Sequence, residues 1–142
     1  MLSQFSVITK SASETKKIAE NLAKEILAGE GGAVLGLKGN LGGGKTTFVQ
    51  GFAKGLGIKE KILSPTFNIF KKYKNFYHID CYRIKREKEA IDLGFQEIFS
   101  NPENIVAVEW PENIKKIMPE RTIWLTFKVI GEDKRKITIK QS

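Results

Sequence analysis

Apolar and polar residues alternate from position 4 to position 9, the two-residue period of a strand with one buried face. Ser11-Ala12-Ser13-Glu14 has the spacing of a capping box, and Ile18, Leu22, Ile26 and Leu27 then recur along one face of a helix. Glu30-Gly31-Gly32 reads as a turn, and the apolar run Ala33-Val34-Leu35-Gly36-Leu37 behind it as a buried strand. Helical spacing returns over residues 47–53 and ends near Leu56-Gly57. Two adjacent strands are expected over 68–73 and 75–80, turning at Lys74. Residues 87–93 and 95–99 suggest short helical pieces broken at Gly94. Ile105-Val106-Ala107-Val108-Glu109 predicts a strand buried on both faces. A terminal hairpin is expected over 122–130 and 134–139, around Gly131-Glu132-Asp133, with Trp124 in the core. The pattern predicts an α/β fold: one three-layer domain over residues 1–142, with a mixed β-sheet flanked by helices.

Between the second predicted strand and its helix lies Gly39-Asn40-Leu41-Gly42-Gly43-Gly44-Lys45-Thr46, a complete G-x-x-x-x-G-K-[ST] phosphate-binding loop. Glycines let successive backbone N–H groups turn inward toward phosphate oxygens, and the helix that follows adds its positive end, so that Gly39 to Thr47 are the candidate nucleotide contacts. In this pattern Lys45 reaches the β- and γ-phosphates and the Thr46 hydroxyl takes a place on Mg²⁺. Binding of a nucleoside triphosphate follows.

Composition adds bounds. Hydrophobic content of 41% with 28% charged residues is ordinary for a globular protein. The single cysteine, Cys81, excludes an internal disulfide. No apolar segment is long enough to span a membrane, and Met1-Leu2-Ser3-Gln4-Phe5 lacks the features of a signal peptide, so a cytoplasmic location is expected. The net charge of +8 raises the question of nucleic acid. Lys71-Lys72-Tyr73-Lys74, Lys115-Lys116 and Lys134-Arg135-Lys136 read first as solvated faces, with a basic surface for RNA or an acidic partner as the other reading.

A phosphate loop needs a carboxylate for Mg²⁺ and a group to position water. Glu109 closes one predicted strand and Asp80 another, and ligand sites in such sheets lie at the carboxyl ends of strands. Glu109 is assigned to the metal, directly or through water, and Asp80 to water positioning or a further metal contact. His78 lies two residues before Asp80 and so faces the same side of its strand; it reads as a hydrogen-bonded structural residue. Cys81 reads as a buried apolar filler. No arginine finger within the chain is evident from the sequence.

Taken together, residues 39–47, Ser64-Pro65-Thr66-Phe67, His78-Ile79-Asp80-Cys81-Tyr82-Arg83 and Val108-Glu109-Trp110-Pro111 resemble the TsaE (YjeE) family. These blocks come in the family's order across residues 36–111. Leu93-Gly94-Phe95-Gln96-Glu97-Ile98-Phe99 is similar to the segment that follows in that family, with Ile98 in place of an aromatic. The resemblance implies a small bacterial P-loop ATPase required for threonylcarbamoyladenosine modification of tRNA. It implies ATP and Mg²⁺ as cofactors and the transferase proteins TsaD and TsaB as partners, with tRNA reached through their complex and no membrane involved. Thr66 is then a switch residue that senses the γ-phosphate or its metal. Trp110 buttresses the nucleotide, faces a partner or packs in the core. Contacts to adenine or ribose are placed at residues 11–15 and at Glu112.

Other readings differ in what they require. A small-molecule kinase needs an acceptor pocket and an arginine-rich lid, for which the chain after Asp80 is short and poor in arginine. A GTPase-like switch lacks the Asn-Lys-x-Asp sequence that selects guanine. A basic RNA-binding module would use nucleotide only structurally.

Overall fold

Seven strands form one sheet in the order β1-β7-β6-β2-β5-β4-β3. The computed structural model describes residues 3–40, 42, 44–63 and 69–141. In chain order the elements are β1 (Ser3–Thr9), α1 (Ala12–Ala28), β2 (Ala33–Lys38), α2 (Lys45–Gly55), β3 (Phe70–Tyr73) and β4 (Phe76–Asp80). They continue with α3 (Glu87–Asp92), α4 (Phe95–Ser100), β5 (Ile105–Glu109), a 3-10 segment (Pro111–Ile117), β6 (Ile123–Val129) and β7 (Arg135–Gln141). The centre is parallel, with β2 between β5 and β6 and β4 beside β5. Antiparallel pairs close both edges. The sheet is therefore mixed, as the sequence predicts.

Local chemistry fixes the helix starts. Ser11 caps α1 by accepting from the Glu14 N–H at 3.1 Å. The reciprocal arm of the expected box is shifted: Glu14 Oε1 accepts from Lys10 N–H at 2.7 Å, one residue ahead of the cap. The helix face also shifts. Thr15, Ala19 and Ala23 form the buried stripe, with Ile18, Leu22 and Ile26 flanking it, while Leu27 is exposed in the last turn. Small residues face inward because α1 lies close against α2. A side chain at Gly51 would collide with the Lys16 backbone, and one at Gly55 would meet Ala23 Cβ at 2.7 Å.

Both α1 and α2 pack on one face of the sheet, where Ala19, Phe48, Val49 and Phe52 meet Leu35, Leu37, Leu125, Phe127 and Ile137. On the other face Ala90, Phe95, Phe99 and Ile114 cover Val34, Ile79, Val106 and Val108. That second covering spans β4, β5 and β2. Over β6, β7 and β1 the same face is open: Gln4, Ser6, Ile8, Thr126, Lys128, Lys136 and Lys140 are exposed. Trp124 belongs to this open face and is half-buried, so its expected place in the core is corrected. Strand alternation names the face a residue joins, but not whether another layer covers that face.

Candidate active site

The carboxyl ends of β2, β4 and β5 lie side by side, and the phosphate loop leaves the first of them. Gly39, Gly42 and Gly44 take φ values of 149°, 81° and 99°, which side chains with a Cβ rarely adopt. Gly44 caps α2, so Lys45 is that helix's first residue. Asn40 is exposed; Leu41 and Gly43 fall outside the described residues, as do Thr66 and the rest of its loop at 64–68.

Lys45 is buried and donates from Nζ to the Gly39 carbonyl at 2.6 Å. The ammonium lies 3.8 Å from the centre of the Trp110 ring. Trp110 reaches it because the backbone there is left-handed, with φ 58°, and its ring also contacts Tyr82 at 5.1 Å between centroids. Burial lowers the Lys45 pKa, while the carboxylates of Glu109, Glu112 and Asp80 oppose that shift.

Asp80 and Glu109 are direct partners across the β4–β5 ladder. They face the α1–α2 side, in step with His78 and Ala107 one pleat earlier. Burial raises the Asp80 pKa; the Tyr82 N–H, which donates to Oδ1 at 3.0 Å, pulls the other way, and Glu109 adds to the rise. Glu109 is 4% exposed, and its Oε2 lies 2.6 Å from Nε2 of the fully buried His78. Donation from Nε2–H suits an ionised carboxylate and leaves Nδ1 a bare acceptor, without a partner among the described residues. His78 is thus a hydrogen-bonded residue beneath the site that fixes the Glu109 carboxylate by one oxygen.

Lys45, Thr46, Thr47, Asp80, Glu109 and Trp110 line one cavity of about 330 Å³, together with Gly42, Gly44, Tyr82 and Arg135. A smaller cavity of about 80 Å³ adjoins it, between Ser11, Ala12 and Thr15 at the start of α1 and Gly44, Thr47, Asp133 and Arg135. Glu112 is exposed in the 3-10 segment after β5 and lines neither cavity. Among the described residues no cluster of three or more His, Cys, Asp or Glu side chains could hold a metal alone. The donors present suit Mg²⁺, which takes one or two carboxylates and completes its shell with water and phosphate oxygens. Cys81 is fully buried and its thiol is pushed up to about 12, mainly by burial, so it is chemically quiet.

Sequence reasoning gave no site role to Tyr82 or to Arg135. Arg135 starts β7 and donates from Nη2 to the Gly42 carbonyl at 3.1 Å, against the phosphate loop. Its Nη1 is held by the carbonyls of Lys134 and Glu132 at 3.0 and 3.3 Å. In the sequence it stands inside a basic run on a strand, 93 positions from Gly42, and no local signal marks it.

A glycine loop between a parallel strand and a helix, with two strand-end acids beside its lysine, defines a P-loop nucleotide-binding protein of the α/β class. Residues 9–137 match the family described as threonylcarbamoyl adenosine biosynthesis protein TsaE. The chain belongs to that family. It is 42% identical over 134 residues to the Bacillus subtilis tRNA threonylcarbamoyladenosine biosynthesis protein TsaE, covering 92% of this chain and 81% of that one. The Treponema pallidum protein of the same name is 34% identical over 135 residues, with 93% and 97% covered. A crystal structure of Bacillus subtilis YdiB superposes with a TM-score of 0.82 at 35% identity, covering 99% of this chain and 87% of that one. The shared fold agrees with the sheet and helices described above. No helix among the described residues is long and apolar enough to cross a membrane.

Proposed function

We propose that this chain is the ATP-binding and ATP-hydrolysing subunit required to form the threonylcarbamoyl group on the adenosine next to the anticodon of tRNAs. In this reading it works in the cytoplasm and acts on or resets the TsaB–TsaD transferase complex. The observation that carries the proposal is the convergence of Lys45, Asp80 and Glu109 on one cavity at the ends of three adjacent parallel strands. Loop amides from 39–44 and the start of α2 at Lys45, Thr46 and Thr47 hold the phosphates. Lys45 exchanges its bond to Gly39 for the β- and γ-phosphate oxygens. Thr46 and Glu109 would hold Mg²⁺ together with the nucleotide, and the ion would supply charge neutralisation at the phosphates. Glu109 is held ready for that by His78. Asp80, next to Glu109, orients the attacking water.

Ser11, Ala12 and Thr15 line the smaller cavity on the Gly44–Thr47 side of the loop and serve ribose or base there. Glu112, outside both cavities in the 3-10 segment, is within electrostatic reach of Lys45 and serves as a further contact to ribose or base. Thr66 reports the γ-phosphate to the surface that meets the partners. Trp110, lying on Lys45, moves when that lysine engages a phosphate and so links the nucleotide to the same surface.

The test is ATP hydrolysis by the purified chain, alone and with the TsaB–TsaD pair, with Lys45→Ala as control. The expected result is slow turnover that rises sharply with the pair and vanishes in the variant. Turnover indifferent to the pair, or seen only with a small phosphate acceptor, overturns the reading in favour of a kinase.

A further inference from the structure

We propose that the open face of β1, β7 and β6, with the end of β2, is a binding surface for an RNA backbone. This goes beyond the ATPase reading and does not depend on it. Strand registers lay the face out as three rows. Gln4, Lys140, Trp124 and Gly36 form one; Ser6, Thr138, Thr126 and Lys38 the next; Ile8, Lys136 and Lys128 the last. The grid holds four lysines and no acid. None of the four forms an ion pair with a described residue.

Two features say what this face is for. Lys128 and Lys136 are direct cross-strand partners, and like charges directly opposite on a sheet oppose folding. A polyanion lying across both relieves that repulsion. Strand spacing gives a flat platform of about 14 Å along the strands and about 14 Å across four of them. Its middle row is mostly hydroxyls, with Ser6 and Thr138 in mutual contact at 3.0 Å, which can donate to phosphate and ribose oxygens without adding charge.

The aromatic on the face favours RNA over an acidic protein. Trp124 is half-buried, backed by Gly36, and covered by the Lys38 ammonium at 4.6 Å from a ring centroid. A stacked base can take the place of that flexible lysine on the ring while Lys38 moves to a phosphate. The carboxylates that an acidic protein would bring to these lysines do not stack on an indole.

The experiment is anisotropy of a fluorescein-labelled RNA stem-loop titrated with the full chain between about 50 and 200 mM salt. With three or four phosphates engaged, log K should fall against log salt with a slope of about −2 to −4. Lys128→Glu/Lys136→Glu/Lys140→Glu should weaken binding by about tenfold or more. Lys71→Glu/Lys72→Glu/Lys74→Glu makes the same charge change at exposed lysines on and beside β3, the other sheet edge, and should cost less than about threefold. Circular dichroism confirms the fold of each variant; if reversal unfolds the chain, Lys→Gln at the same positions carries the test. Absence of binding at low salt overturns the proposal, as does an equal loss in both triple variants. Displacement of the RNA by polyglutamate at equal charge overturns it in favour of an acidic protein partner.

Discussion

The two halves of the sheet share the α1–α2 layer and part company on the other side. Over β2, β5 and β4 a second layer from α3, α4 and the 3-10 segment seals the sheet, and every residue of β5 is buried. Over β6, β7 and β1 the same side carries hydroxyls and lysines. Asp80 and Glu109, the acids proposed to serve the nucleotide, end strands of the sealed half. Glu109 itself points to the shared α1–α2 side; what the sealed half supplies is a strand buried on both faces, from whose end the Glu109 carboxylate is held at 4% exposure and oriented by His78. The open half carries no such acid. What the contrast teaches is that one continuous sheet can end a strand packed on both faces in an oriented carboxylate and, where the second helix layer is absent, present a wet, charged surface.

The sharpest test of that contrast is stability. Phe95 is fully buried between Phe70 and Phe99, with ring centroids at 6.0 and 6.4 Å. Phe95→Ala should cost about 3–5 kcal/mol in urea unfolding. Thr126→Ala, on the exposed face, should stay within about 0.5 kcal/mol. Similar losses at both positions would mean that the open face is covered in solution.

Next in size is an effect on chemistry. Glu109→Gln keeps the shape and a partner for His78 but removes the charge. ATP turnover should fall about a hundredfold while nucleotide binding changes by less than about fivefold. Lys136→Glu in the open half should leave turnover without partners or RNA unchanged. If Glu109→Gln turns over normally, the metal-side acid has been misassigned, and Asp80 takes the role.

Arg135 ties the halves together, because it begins β7 in the open half and its guanidinium lies on the phosphate loop. Arg135→Ala should weaken nucleotide binding about five- to tenfold, measured by calorimetry, since one charge-assisted contact near the phosphates is lost. An unchanged affinity would make it a loop brace only.

These residues also mark how far the sequence was legible. The strand, glycine loop and helix around residues 33–53 announce themselves because phosphate binding demands glycines at fixed local spacing. Asp80 and Glu109 were visible because each breaks an apolar run where a strand ends. Their adjacency was not, because it depends on β4 pairing with β5 across the chain segment that holds α3 and α4. The same holds for the His78–Glu109 bond. Arg135 was hidden for the opposite reason: its neighbours Lys134 and Lys136 are ordinary exposed lysines, so the run looks uniform until the fold bends one member inward. Leu27 was expected on the buried face, and only the position of α1 over the sheet shows that its last turn overhangs.

The smallest predicted effect concerns Asp80, and its sign is informative. Burial raises its pKa above the ordinary 3.8. A carboxyl whose folded pKa is raised contributes stability that is full below its unfolded value and is lost as pH rises through the folded value. At neutral pH the ionised Asp80 is therefore a cost to the fold. Asp80→Asn can still accept from the Tyr82 N–H through its side-chain oxygen, and it removes that cost. Without nucleotide, the variant should melt about 1–4 °C higher than the parent at pH 7 and at nearly the same temperature near pH 3. With Mg²⁺ and ATP the order should reverse at pH 7, because the parent keeps the Asp80 carboxylate beside Glu109 as a further contact for the metal and its water, and so gains more stability from binding. A variant that melts lower at pH 7 in the absence of nucleotide would show instead that the Asp80 charge is already balanced by Lys45. The sealed half would then be built for stability at this point rather than holding an unpaired charge for its ligand.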